Sequence, residues 1–246
     1  MDIELGTILL LAALAAFGSF VYGVTGFGSG LLTISLASQF YDLRFVLAVF
    51  SLIDCINAIR VCFARPRAIV RDEARRLLPS CVAGVALGAL LILALPASIL
   101  MLALGVFVAG YGIYSIAFAH RLPTIGIQWA YVAGLAGGIT SAMFGAGGPP
   151  YAIYLSMRPH TKEAIRATLA ATSLVSIGTR LVAFAFAGLL ASSTVWITAL
   201  CIAPAALIAL WWAEHVHAAV SRETLIRAIR MLLCAAGIAL IVRALA

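Results

Sequence analysis

Apolar residues run almost without interruption along this chain, in stretches of about twenty separated by short polar connections that hold most of the arginines. The uninterrupted stretches are Phe45 to Phe63, Leu77 to Leu95 and Ile99 to Phe118 in the first half, and Ala164 to Phe186, Val195 to Ala213 and Leu225 to Leu245 in the second. At a rise of 1.5 Å per residue, each is long enough to cross the ~30 Å hydrocarbon core as a helix. Two other runs, Leu5 to Phe40 and Trp129 to Met157, are broken near their middles by Thr25-Gly-Phe-Gly-Ser-Gly30 and Gly145-Ala-Gly-Gly-Pro-Pro150. Non-helical backbone at membrane depth is tolerated only where protein or a water-filled cavity surrounds it. Paired breaks in two halves point to a transporter's binding site.

The breaks belong to an internal repeat. Sliding the chain on itself by about half its length sets Gly18 on Gly137, Gly26 on Gly145 and Gly28 on Gly147, with Arg60 one step from Arg180 and, after a small change of offset, Gly112 on Gly237. The offset drifts because the connection from Ala64 to Arg76 is long and charged, whereas its counterpart from Ala187 to Thr194 is short and neutral. The expected organisation is one integral membrane domain made of two repeats, residues 1–120 and 121–246. Each holds a broken or re-entrant helical segment and three transmembrane helices, in an all-α polytopic fold.

Arginine placement bears on how the broken runs lie. If both return to their starting side and the N-terminus is outside, then Arg65, Arg67, Arg71, Arg75, Arg76, Arg121, Arg158, Lys162, Arg166, Arg222, Arg227 and Arg230 all fall at cytoplasmic ends. Only Arg44 and Arg243 fall outside, with Arg60 and Arg180 left within spans. If both runs crossed once, no placement of the N-terminus would keep the 65–76 and 158–166 connections on one side. The returning arrangement leaves three net crossings per half, so the second repeat starts on the opposite face and the two are inverted, the basis of alternating access.

Composition agrees with a membrane protein: hydrophobic residues make up 64% and charged residues 10%, which leaves too little polar surface to enclose a soluble core. The net charge of +7 sits in the inter-span arginines, so it reads as topology and not as nucleic-acid binding. The acidic start, Met1-Asp-Ile-Glu-Leu5, is unlike a secretory signal, and the first apolar run is expected to be retained. Cys55, Cys62, Cys81, Cys201 and Cys234 are scattered without paired spacing and read as small buried hydrophobes.

The candidate site follows from the breaks. Helix N-termini carry unsatisfied N–H groups and about half a positive charge, and glycines let an anion approach that backbone. Thr25, Gly26, Phe27, Gly28, Ser29 and Gly30 in the first break, and Gly145, Gly147 and Gly148 in the second, therefore read as two opposed helix starts holding one anion, with Pro150 placed to open the second short helix. Gly84, Gly88, Gly105, Gly110, Gly134 and Gly188 read as packing positions. Arg180, and with it Arg60, offers a planar guanidinium suited to bidentate capture of a sulfonate, sulfate or carboxylate. Asp54 and Asn57 precede Arg60 at intervals of three, and Ser173, Ser176 and Thr179 repeat that spacing in the partner helix. Asp54 either carries a coupling proton or neutralises one of the arginines. His120, His160, His215 and His217 fall in connections and read as solvated, and Trp211 and Trp212 as an interfacial belt. No catalytic or nucleotide-binding motif is present, so neither an enzyme nor an ATP motor is expected, and no cofactor or metal is implied.

Gly23-Val-Thr-Gly-Phe-Gly-Ser-Gly30, Gly137-Gly-Ile-Thr-Ser-Ala-Met-Phe-Gly-Ala-Gly-Gly-Pro-Pro150 and Lys162-Glu-Ala-Ile-Arg-Ala-Thr168 resemble the TauE/SafE family of sulfite and organosulfonate exporters over nearly the whole chain. The resemblance implies a transporter of small sulfur-containing or organic anions in a bacterial inner membrane, working without ATP hydrolysis. Two departures concern the half-sites: the first half lacks the proline that often follows the glycine loop, and Pro149 replaces a small residue in the second. The expected partners are a small anionic substrate and the lipid bilayer, with a coupling proton where Asp54 carries one and does not neutralise an arginine. An anion channel and a non-transporting membrane enzyme or scaffold are the alternatives, and the sequence leaves the oligomeric state open.

Overall fold

The structure is a computed structural model that describes residues 5–64, 68–117, 124–215 and 222–245. Arg65, Arg67, His120, Arg121 and His217 lie outside them. The described residues form helices and no strand: α1 Leu5–Thr25, α2 Ser29–Ala37, α3 Leu43–Ala64, α4 Arg71–Ala94, α5 Ala97–Ala117, α6 Trp129–Phe144, α7 Gly148–Ser156, α8 Lys162–Phe186, α9 Ser193–His215 and α10 Arg222–Leu245. By length and composition, α1, α3, α4, α5, α8 and α9 can each cross a membrane. In α10 the apolar part is the shorter piece Leu233–Ala244. Helix α4 starts well before the apolar run at Leu77, because Asp72 and Glu73 in its first turn favour a helix N-terminus.

Both broken runs turn back on themselves. Gly18 of α1 packs on Ser29 and Thr33 of α2, and Gly137 of α6 packs on the ring of Tyr151 of α7. On a straight helix, residues that far apart in sequence would be separated by about 20 Å. The base of the second hairpin is closed by the Ile125 N–H, which donates to the Met157 carbonyl at 3.2 Å. Nine residues in each of α2 and α7 reach about 14 Å, roughly half the hydrocarbon thickness.

Helix α4 shows that the hairpins open toward opposite ends. At its start, Glu73 holds Arg158 at 2.7 Å and His160 at 2.9 Å, and the Val70 N–H donates to Thr168 Oγ1 at 3.0 Å. The end of α7 and the start of α8 therefore lie there. At its finish, Arg44 Nη2 donates to the carbonyls of Ile92 and Leu95, at 3.1 and 3.2 Å. Arg243 donates to the carbonyls of Ser38, at 2.8 Å, and Gln39, which brings the end of α2 to the same side. The 24 residues of α4 separate these ends by about 36 Å. The hairpin tips cross between them, with Gly30 against the Gly145 carbonyl and Phe27 against Gly148.

The helices around the hairpins pair in a way that survives exchange of the two halves: α1 packs on α9 as α6 packs on α4, and α5 packs on α10. Small residues make the close approaches. Gly84 and Gly88 of α4 face the backbone of Leu135, Gly138 and Ile139 on α6, Gly134 returns the contact on Leu77 and Ser80, and Gly105 meets Gly237 between α5 and α10. Gly110 and Gly188 differ from the packing role expected of them. Neither would bring a methyl group near any neighbour, and Gly188 ends α8 at φ 75°, with the Leu189 N–H on the Phe184 carbonyl at 3.0 Å. Large apolar side chains such as Leu90, Val106, Val132, Leu200 and Ile208 face outward, a surface suited to lipid. Cys81 is buried, but Cys201 lies on that outer surface and is not the buried hydrophobe expected.

Candidate functional site

The tips owe their shape to glycine. Gly26 and Gly28 have φ of 86° and 92°, and Gly145 has φ of 62°, a left-handed conformation that a side chain disfavours. Thr25 fastens the first tip, its Oγ1 lying 2.8 Å from the Val21 carbonyl and 2.6 Å from that of Phe27. The second is a helix cap: the Gly145 N–H donates to the Ser141 carbonyl at 2.9 Å and the Ala146 N–H to that of Thr140 at 3.1 Å. Helix α7 begins at Gly148, so Pro149 and Pro150 sit at its second and third positions and Pro150 is not its first residue.

This placement makes the two helix starts unequal. In α2 the first intrahelical bond is from the Leu32 N–H to the Gly28 carbonyl, at 3.2 Å, which leaves the N–H groups of Gly28, Ser29, Gly30 and Leu31 without intrahelical acceptors. In α7 the prolines carry no N–H, so only Gly147 and Gly148 offer donors there. The unpaired N–H groups at the tips therefore come mainly from α2.

The tips flank a small, partly open cavity of about 20 Å³. Phe27, Gly28, Ser29, Gly30 and Asp54 line it from the first half, and Gly145, Gly147, Gly148 and Ser176 from the second. Tyr22, Ser141, Tyr151, Ser173 and Ile177 complete the wall. Asp54 lies midway along α3 and accepts from Ser29 Oγ at 2.6 Å. Arg180 has no exposed surface and stands one layer behind the wall. Its Nη1 donates to the Ser141 carbonyl at 2.7 Å and its Nη2 to Asp54 Oδ2 at 3.3 Å, while its Nε has no partner. The Tyr22 hydroxyl, on a residue 3% exposed, has only the neighbouring Ser173 hydroxyl beside it, outside close hydrogen-bond geometry. Tyr151 reaches Cys81 Sγ at 3.0 Å and Ser176 Oγ at 3.3 Å.

Other candidates lie off the cavity. Gly26 faces the side chain of Arg166, and Thr25 serves the tip's own backbone. Asn57 is fully buried and donates from Nδ2 to Ser19 Oγ at 2.9 Å. Arg60 is half-buried toward the end of α3, outside the cavity lining. Thr179 turns its hydroxyl to the Val175 carbonyl at 2.8 Å.

Sequence reading passed over the two tyrosines, which look like core residues in an apolar run, and Glu73. That carboxylate is 1% exposed and takes Tyr154, Arg158 and His160 together, so His160 is a hydrogen-bond partner of Glu73 and not a solvated connection residue. His215 bonds to the Trp211 carbonyl at 2.7 Å and packs on its ring.

Apolar helices around two crossed hairpins, with a buried ion pair behind a polar cavity, define a multi-pass membrane protein of the transporter class. Within that class the chain belongs to the sulfite exporter TauE/SafE family, whose family model matches residues 10–240. No curated protein and no solved structure matches it.

Proposed function

We propose that this protein is a secondary transporter that exports small sulfur-containing or organic anions, such as sulfite or organosulfonates, across a bacterial inner membrane. The crossing of the two glycine tips over one cavity carries the reading. Backbone donors of α2, the hydroxyls of Ser29, Ser173 and Ser176, and the guanidinium behind Ser141 together favour a compact anion over a cation or an apolar ligand. The family's description puts sulfite first among the candidates.

Alternating access would arise from inverted repeats, residues 1–120 and 121–246, rocking about the cavity with the N-terminus outside. In support, Arg44 and Arg243 gather at one end of α4 and Arg158 with the start of α8 at the other, a division that suits the positive-inside rule. Labelling of single cysteines at Arg71 and Lys162 is expected to place both on the cytoplasmic face; labelling from opposite faces would sink the topology.

Transport itself is tested in proteoliposomes with sulfite, sulfate and methanesulfonate. Flux that saturates and shows counterflow is the expected result. Conductive flux without saturation would replace the carrier with a channel, and no flux of any of these anions would leave a scaffold or an enzyme.

A further inference from the structure

We propose that Asp54 is a built-in competitor of the transported anion, and that the anion binds together with one proton that neutralises this carboxylate. The inference rests on the cavity being the anion site. Asp54 is 3% exposed and already occupies the donors an anion would seek. Ser29 Oγ, in the first turn of α2, donates to Oδ1 at 2.6 Å, and Arg180 Nη2 donates to Oδ2 at 3.3 Å. The carboxylate also rests beside Gly30, where a methyl group would come within 2.8 Å of Oδ2. It therefore stands at the positive end of α2 and screens Arg180 from the cavity.

Two further donors are not fully used. Arg180 Nε is buried without a partner, and the Tyr22 hydroxyl, on the cavity wall, has only the neighbouring Ser173 hydroxyl beside it. An anion that draws the guanidinium into the cavity uses them, but it must share the space with Asp54. Like charges a few ångströms apart in a low-dielectric site do not both stay ionised. The carboxylate takes a proton from solvent, releases Arg180 and retains its bond to Ser29. A monovalent anion then moves with one proton and no net charge; a divalent one carries one negative charge.

Among the described residues, the other titratable groups facing Asp54 are few. They are Tyr22 on α1, Cys55 on α3 itself, Tyr151 on α7 and Arg180 on α8, with Cys62 and Arg166 beyond Tyr22. Helix α2 has no titratable side chain, and Cys201 of α9 faces outward.

Methanesulfonate and sulfate are the probes, because both keep their charge between about pH 5.5 and 8.5, so any proton taken up belongs to the protein. In weakly buffered detergent solution the wild-type protein is expected to take up about one proton per anion bound, and its apparent affinity to fall about tenfold per pH unit. Asp54→Asn is expected to bind with little pH dependence and no proton uptake, and Asp54→Glu to restore both. Binding by the wild type with no proton uptake would overturn the proposal even if Asp54→Asn does not fold. So would unchanged pH dependence in a folded Asp54→Asn. Failure of the wild type to bind or move either probe or sulfite would overturn the anion reading beneath it.

Discussion

Replacing Arg180 by Gln is expected to lower anion flux by about 100-fold or more and to destabilise the protein by about 3–5 kcal/mol, the range for removing one partner of a buried ion pair. The guanidinium bridges three elements, joining α8 to the Ser141 carbonyl at the end of α6 and to Asp54 at the centre of α3. The side chain has no exposed surface, so its loss leaves an uncompensated carboxylate beside the cavity, while the Ser141 carbonyl keeps only the Gly145 N–H. Arg180→Lys can serve one of these acceptors, not both at once, and is expected to fall between. The paired change Asp54→Asn with Arg180→Gln removes both charges and should recover most of the lost stability without recovering flux. Melting temperature in detergent and flux in proteoliposomes separate these effects. Wild-type flux in a folded Arg180→Gln would remove the arginine from the transport mechanism.

Asp54 and Arg180 stood out in the sequence because a charge inside an apolar run is costly and must be answered. That each answers the other depends on α3 packing against α8, which no local pattern encodes. Asn57 and Arg60 show the limit of reading a stripe. A step of three residues turns the helix by about 300°, so each step shifts the side chain by about 60°. By Asn57 the helix faces Ser19, and by Arg60 the side chain has left the cavity wall. The serines on α8 drift the same way: Ser173 and Ser176 line the cavity, and Thr179 does not. Tyr151 was hidden for another reason. Directly after Gly-Pro-Pro it reads as an apolar residue of a short helix, and only the contact of Gly137 with its ring aims it at the cavity. The fold was more legible than the site. Glycine breaks and apolar run lengths are local, whereas the unequal supply of donors depends on where α7 begins. One further repeat sign goes with the packing of α4 on α6 and of α9 on α1: Pro79 and Pro204 lie inside α4 and α9 at the same offset as Gly112 and Gly237.

A methyl group at Gly30 is expected to be the most damaging of the small changes at the tips. Built on the backbone as it stands, it would overlap the carbonyl oxygen of Gly145 and press on Asp54 Oδ2. Neither a backbone carbonyl at a helix cap nor a carboxylate held by Ser29 and Arg180 can swing aside cheaply. Gly30→Ala must therefore part the two tips, at a cost of about 1–3 kcal/mol for overpacking, and flux should fall by at least about tenfold. Gly28→Ala provides the contrast within the same break. Nothing lies within 4 Å of its added methyl, and only the left-handed φ of 92° opposes it, a strain of about 1–2 kcal/mol. That variant should stay assembled and alter apparent anion affinity through the cavity wall that Gly28 forms. Equal flux and equal stability in the two variants would mean that the tips do not need to touch. A larger loss at Gly30 than at Gly28, in both measurements, ties transport to the crossing of the tips, because the two positions differ in contact far more than in sequence.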